Sequence, residues 1–267
     1  MDGIHLTLCQ VKIRMIQMKI SEIKAQLNEN PTESFINELQ DDPRKGVQQA
    51  LQSYFRRKKR EREKEAAFEH RLQYERSFWN QGIDLIAGID EVGRGPLAGP
   101  VVSAAVILPH DFHVIDVNDS KQLSEKKREE LYQVILEQAV AVGIGIADAA
   151  EIDELNIYQA TRKAMLQAVQ NLQVIPQQLI IDAMEIDTSI PQLKLIKGDA
   201  KSVSVSAASI VAKEFRDHLM QFYDRIYPGY DFAHNVGYGT ANHLDGLRKF
   251  GITPIHRKSF EPVSKFK

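Results

Sequence analysis

The stretch Leu85-Ile86-Ala87-Gly88-Ile89-Asp90-Glu91-Val92-Gly93-Arg94-Gly95 constrains this chain more than any other. An apolar run of strand character ends in two adjacent carboxylates, and a glycine-flanked arginine follows at once. Alternation along a strand sends neighbouring side chains to opposite faces, but a strand that ends or kinks at this point releases both. Packing offers little reason to put two acids at the end of a buried strand, whereas a polyvalent cation offers one. For Asp90 and Glu91 alone two readings stand: a solvated strand end before a tight turn, or part of a cation site.

With 267 residues the chain can hold one large domain, or one medium domain with an appendage. Its net charge of -2 hides an asymmetry, because residues 1–80 hold 15 basic and 12 acidic side chains and the remainder 19 and 24. A slightly acidic body does not exclude a nucleic-acid partner, since a catalytic acid cluster lowers the count. It does argue against a broad, non-specific basic surface. Cys9 is the only cysteine, which rules out an intrachain disulfide and points to a reducing cytosol. Lys12, Arg14, Lys19 and Lys24 interrupt the apolar positions of residues 1–27, so an amphipathic helix is expected there, with no secretory signal and no membrane span. The chain is expected to be cytoplasmic, a monomer, and without a membrane partner.

Residues 1–80 read as helical. Ile13, Ile16, Ile20, Ile23 and Leu27 recur at helical spacing, and Asn28-Glu29-Asn30-Pro31 stops that helix. Ser34 is the expected cap of a short second helix carrying Phe35, Ile36 and Leu39. Asp42-Pro43 then starts a long helix to about Phe78, with Val47, Leu51, Phe55, Phe68 and Leu72 among its apolar positions. Its charged middle, residues 56–65, is either a solvated arm or a contact for nucleic-acid phosphates.

From Asp84 the pattern turns to mixed α/β. Strands are expected over 85–90, 101–108, 140–147, 178–182 and 193–197, and helices from Ser124 to about 138, over 151–172, and after Asp199 through about 223. A hairpin-like start followed by strand–helix alternation implies a mixed sheet flanked by helices. Asp182 ends its strand as Asp90 ends the first, and Asp199 lies just after the fifth. Converging without a cation, such acids would repel, since two like charges 4 Å apart cost roughly 4 kcal/mol at an effective dielectric near 20. Mg2+ or Mn2+ suits hard oxygen donors, and a pair of such ions can activate water and stabilise a departing phosphate oxygen.

Gly93-Arg94-Gly95-Pro96-Leu97-Ala98-Gly99 has the spacing G-x-G-x-x-x-G and leads into a strand, so it is not a dinucleotide fingerprint; no Walker-type lysine follows either. Its glycines permit close approach of main-chain groups to a sugar hydroxyl or phosphate, or they make a tight turn bearing a surface arginine. For Tyr238, between two glycines, a partly buried loop aromatic is the plain alternative to a binding role. His243 and His256 are expected to serve fold hydrogen bonds rather than proton transfer, and with no nucleophile triad in the chain water is the better nucleophile.

The residues 87–102, Asp119-Ser120-Lys121-Gln122-Leu123, Ile181-Asp182-Ala183 and Lys197-Gly198-Asp199-Ala200-Lys201-Ser202 closely resemble the ribonuclease HII family, the bacterial type 2 ribonucleases H. The resemblance continues through Ala207-Ala208-Ser209-Ile210-Val211-Ala212-Lys213, Gly237-Tyr238-Gly239-Thr240 and His256-Arg257-Lys258-Ser259-Phe260, and it spans about residues 84–262. It implies an α/β RNase H-like fold with a mixed central sheet flanked by helices over 81–267, ending in a C-terminal helical region; residues 1–80, read as all-helical from their spacing, form an N-terminal extension that departs from the family core. It implies Mn2+- or Mg2+-dependent hydrolysis of RNA in RNA–DNA hybrids, cutting 5′ of single ribonucleotides in duplex DNA, and products with 5′-phosphate and 3′-hydroxyl ends. The implied task is ribonucleotide and primer removal during replication and repair.

Under this resemblance Asp90, Glu91, Asp182 and Asp199 match the catalytic acids, with Asp90, Glu91 and Asp182 as metal ligands. Gly93, Arg94 and Gly95 match the reader of the 2′-hydroxyl, the group that separates RNA from DNA. Tyr238 matches the tyrosine that stacks on the following sugar, and Lys121, Lys213 and Arg216 resemble basic positions that hold phosphates. A junction resolvase or transposase-like nuclease would share the acids but need no 2′-hydroxyl reader, and a hybrid-binding module would need no acid cluster. Residues 1–80 do not resemble the β-rich N-terminal domain of ribonuclease HIII. If they form a basic arm, deleting them should weaken duplex binding and flatten its salt dependence.

Overall fold

The computed structural model describes residues 18–266. Cys9 and the first part of the expected N-terminal helix, through Ile13 and Ile16, lie outside the described residues. The chain forms two compact units, Met1–Ala67 and Phe68–Lys267. The boundary between these compact units lies at Ala67–Phe68, and the cause is visible in the second unit's core. Phe68 and Leu72 are buried there beside Ala104, Val106, Leu131 and Ala208. No helix among the described residues is long and apolar enough to cross a membrane.

In the first unit α1 (Ile20–Asn28), α2 (Glu33–Gln40) and the start of α3 (Lys45–Arg71) pack Ile23, Leu27, Leu39, Val47, Leu51 and Tyr54 together. Thr32, not Ser34, caps α2 by accepting from the Phe35 N–H; Ser34 sits inside the helix and donates to Glu38. Asp42 accepts from the Arg44 N–H at 2.9 Å just ahead of α3, as a capping acid should. Phe55, expected among the apolar positions, is exposed. The long helix does not run unbroken to 78: it ends at Arg71, and α4 (Gln73–Trp79) follows after Leu72.

The second unit is built on a five-stranded sheet of order β3-β2-β1-β4-β5. Its strands are β1 (Ile86–Val92), β2 (Val101–Ile107), β3 (Ala141–Ala147), β4 (Gln178–Asp182) and β5 (Gln192–Leu195). The β1–β2 and β2–β3 pairs are antiparallel, and β4 and β5 join in parallel, giving the expected mixed sheet. One face is covered by α5 (Glu125–Gln138) and α8 (Val203–Ile226). The opposite face is covered by α7 (Ile157–Gln170), through Met165 and Ala168 against Ile89, Leu179 and Ile181. The single helix expected over 151–172 is two, because Asn156 takes a positive φ, ends α6 (Ala149–Leu155) and caps α7 through the N–H groups of Tyr158 and Gln159.

The serines and alanines of α8 let it lie directly on β1. A Cβ placed on Gly88 would come within 2.1 Å of the Ser204 carbonyl carbon, so only glycine allows this approach. The N-terminus of α8 is held by a side chain from α4: Glu75, 1% exposed, accepts from the Ser204 N–H at 2.9 Å and from the hydroxyls of Ser202 and Ser204. The short α9 (Phe232–Asn235) and α10 (Ala241–Phe250) close the C-terminal side around Leu97, Met220, Tyr230 and Phe232.

Candidate active site

β1 does not end at Asp90, as the sequence suggested, but continues through Glu91 to Val92, paired with Ala104, Ser103 and Val102 of β2. Ile89 lies beside Ile181 in the parallel register, so Asp90 and Asp182 follow at the carboxyl ends of adjacent parallel strands. Ligands of open α/β sheets gather at that edge. Asp199 precedes a long helix as expected, sitting in a one-turn 3-10 helix (Gly198–Ala200) just ahead of α8. That turn is tied to β4 by the Gly198 N–H, which donates to Asp182 Oδ1 at 2.7 Å.

Three of the acids feel one another. Burial raises Asp90 well above the usual carboxylate range, the charges of Glu91 and Asp182 add to this, and the Ser209 hydroxyl opposes it. Burial also raises Glu91, against the attraction of Arg94, with Asp182 adding to the rise. Asp182 is raised by burial and by Asp199, against the Gly198 N–H. Lys121 meets Asp199 Oδ2 at 3.1 Å; desolvation is the largest influence and lowers its pKa, but the bond to Asp199 and the charges of Asp199, Asp90 and Asp119 together lift it. Glu91 Oε1 reaches Arg94 at 3.4 Å, while Glu91 Oε2 is buried without any hydrogen-bond partner.

A buried carboxylate oxygen left unpaired is costly unless something else meets it. The four carboxylates of this region, Glu91 among them, offer the hard donor set that a divalent cation of the Mg2+ or Mn2+ kind prefers. Among the described residues their ligand oxygens do not come three together within 4.8 Å. Glu129, Glu214 and His218 do lie that close, but Glu214 is held by Arg128 and Glu129 by His218, so that cluster is already compensated.

The turn after β1 is shaped by backbone contacts. Gly93 has φ +89°, and a Cβ there would fall 2.2 Å from Arg216 Nε. Arg94 and Gly95 are exposed, and the Tyr238 ring lies over Gly95, with its Cε1 3.4 Å from where a Cβ would be. Tyr238 itself is half exposed. The structure thus brings Asp90, Glu91, Asp182, Asp199, Lys121, the glycine turn and Tyr238 to one region of the second unit.

It does not treat the other two basic residues alike. Arg216, expected to hold a phosphate, is 1% exposed, and its guanidinium donates to the carbonyls of Pro100, Val236 and Ala98 at 2.9–3.2 Å. That burial corrects the expectation: Arg216 braces the turn from beneath. Lys213 is held by Asp217 one helical turn away at 2.7 Å.

His243 and His256 are buried and hydrogen-bonded to each other at 3.0 Å, in the structural role expected of them. The Thr253 N–H can only donate, so His256 Nδ1 accepts, its Nε2–H donates to His243 Nε2, and His243 Nδ1–H donates to the Tyr238 carbonyl. Sequence reasoning missed Ser209, Arg257 and Glu75 as parts of this construction. Arg257 and Ser209 stand inside recognisable motifs but carry no local signal of what they touch. Glu75 falls on the helical stripe Phe68–Leu72–Glu75–Trp79, where an acid among apolar positions was a usable clue.

Comparison with known proteins places this geometry. The family model "Ribonuclease HII" matches residues 87–263, and "Ribonuclease HII N-terminal domain" matches residues 19–79. A ribonuclease HII from Ligilactobacillus salivarius is 63% identical over 251 residues, covering 94% of this chain and 98% of its own length. Among solved structures, the ribonuclease H2 from Pyrococcus horikoshii OT3 matches with TM-score 0.59 and 26% identity, over 67% of this chain and 95% of that one. Bst-RNase HIII, solved in complex with Mn2+, shares the fold at TM-score 0.53 and 21% identity, over 68% of this chain and 69% of its own. The chain belongs to the ribonuclease HII family and is an endoribonuclease.

Proposed function

We propose that this enzyme hydrolyses the RNA strand of RNA–DNA hybrids with Mg2+ or Mn2+, and cuts duplex DNA on the 5′ side of a single embedded ribonucleotide. The observation that carries the reading is the unpaired, buried Glu91 Oε2 among the acids at the sheet edge, one turn from Gly93-Arg94-Gly95. Asp90, Glu91 and Asp182 would hold the cation, with Asp199 completing the acidic set and Lys121 keeping it oriented. A bound divalent cation supplies a more acidic water and neutralises charge on the phosphate. Water oxygen joins phosphorus as the bond from phosphorus to the upstream 3′ oxygen breaks, leaving a 3′-hydroxyl upstream and a 5′-phosphate on the ribonucleotide. The turn at Gly93-Arg94-Gly95 meets the 2′-hydroxyl, and Tyr238 packs on the next sugar, whose apolar face an extra hydroxyl would disturb. Such an activity serves removal of ribonucleotides and primers from DNA.

The test is a duplex carrying one ribonucleotide, incubated with enzyme and Mg2+ or Mn2+. A cut 5′ of the ribonucleotide with the all-DNA duplex untouched is expected; equal cutting of both would favour a junction-type nuclease. Asp90→Asn should abolish cleavage and retain hybrid binding, and near-normal turnover would refute its role.

A further inference from the structure

Two arginines lie beneath the Gly93-Arg94-Gly95 turn, and no ordinary rule of burial puts them there. Arg216 and Arg257 are 1% and 0% exposed. Among the described residues neither is salt-bridged to a carboxylate: Asp217 is held by Lys213 and Arg128, and Asp153 accepts from the backbone of Lys258 and Ser259. Burial lowers Arg216 to about 10 and Arg257 to about 9, which leaves both charged at neutral pH.

What the two guanidiniums do is collect main-chain carbonyls. Arg257 donates to Gly93, to Arg94 at 2.9 Å and to Gly99 at 2.8 and 3.0 Å, while Arg216 takes Ala98, Pro100 and Val236. In a trans peptide the C=O of one residue and the N–H of the next point in opposite directions. Drawing the Gly93 and Arg94 carbonyls inward therefore turns the N–H groups of Arg94 and Gly95 outward. Among the described residues neither of those two N–H groups has a hydrogen-bond partner.

We propose that Arg257, assisted by Arg216, is a positioning residue that sets the preference for ribose: it pulls the Gly93 and Arg94 carbonyls inward so that the N–H groups of Arg94 and Gly95 face the sugar. This rests on reading the turn as the seat of the 2′-hydroxyl. The hydroxyl oxygen satisfies those donors, whereas deoxyribose leaves them unpaired, and a site built to bond a hydroxyl rejects the analogue that lacks it. Neither arginine touches the substrate. Their planar forks act through the carbonyls of the turn.

The experiment is equilibrium binding without divalent metal, in EDTA, to two duplexes of one sequence, all-DNA or with a single ribonucleotide, across a salt series. Wild type is compared with Arg257→Lys and Arg216→Lys, which keep the charge and lose the planar fork. The affinity ratio of ribonucleotide to all-DNA duplex should fall at least tenfold in Arg257→Lys and by less in Arg216→Lys. Affinity for all-DNA duplex and the slope of log K against log salt should stay at wild-type values. An unchanged ratio in a variant that melts like wild type overturns the proposal, and so does a slope reduced by about one, the mark of a phosphate no longer held. If Arg257→Lys does not fold, the ratio in Arg216→Lys decides in the same way. Because no cleavage is read, an enzyme that fails to cut would remove the nuclease reading and leave this test standing; a wild type without ribose preference refutes the inference directly.

Discussion

At the scale of single residues the acids are held against their own interest. Asp90 is buried, and its folded pKa is raised by desolvation first and by Glu91 and Asp182 after it. A carboxyl whose folded pKa lies above its unfolded value is favoured by folding when protonated, so its ionisation destabilises the metal-free protein as pH rises above the unfolded value. Asp90→Asn should accordingly stabilise the metal-free enzyme at pH 7, where the wild-type carboxyl must ionise in a buried site. Thermal melting in EDTA checks this; a lower melting temperature would contradict it. Added Mg2+ should raise the melting temperature of the wild type and do little for Asp90→Asn. Under the proposed function this is the expected trade of stability for function.

At the scale of elements, the contact between α10 and the C-terminal segment is a pH-sensitive joint. Burial lowers both histidines, His256 to about 4. A histidine with a depressed folded pKa contributes stability that is complete above its unfolded value near 6.5 and is lost as pH falls toward 4. Stability should decline across that window by up to about 3 kcal/mol from His256. His256→Gln should flatten the decline in denaturant titrations between pH 4 and 6.5, and an equally steep limb in the variant would locate the effect elsewhere. Element types were largely legible in the sequence because periodicity is local: β4 and the Ser124 cap of α5 stand where expected. The break at Asn156 was not, because the apolar pattern of 151–172 runs on through it while the backbone turns to positive φ. Nor was the extension of β1 to Val92, which depends on the partners Ser103 and Val102.

For the whole molecule the decisive fact is where the two units divide. Removing residues 1–67 leaves Phe68, Leu72 and Glu75 in place, so that truncation should remain folded and cleave. If the charged α3 binds duplex phosphates, the salt slope of the truncated enzyme should be smaller by about one for each phosphate that α3 had neutralised. Removing residues 1–80 takes Glu75 from the N-terminus of α8 and Phe68 and Leu72 from the core, and circular dichroism should report an unfolded or molten chain. A well-folded 81–267 fragment would refute this assignment. The sequence alone determined the mixed α/β character and the helical N-terminal segment, since each rests on spacing, and it singled out Asp90, Glu91, Asp182 and Asp199 as candidate acids through their places at strand ends and in contiguous motifs. Only the tertiary structure decided that Arg216 is buried beneath the turn, that Arg257 gathers its carbonyls, and that the stretch around Glu75 belongs with the sheet. Those depend on which carbonyls and helix ends meet across more than 100 residues of chain, as with Glu75 and Ser204, and no local pattern encodes such a meeting.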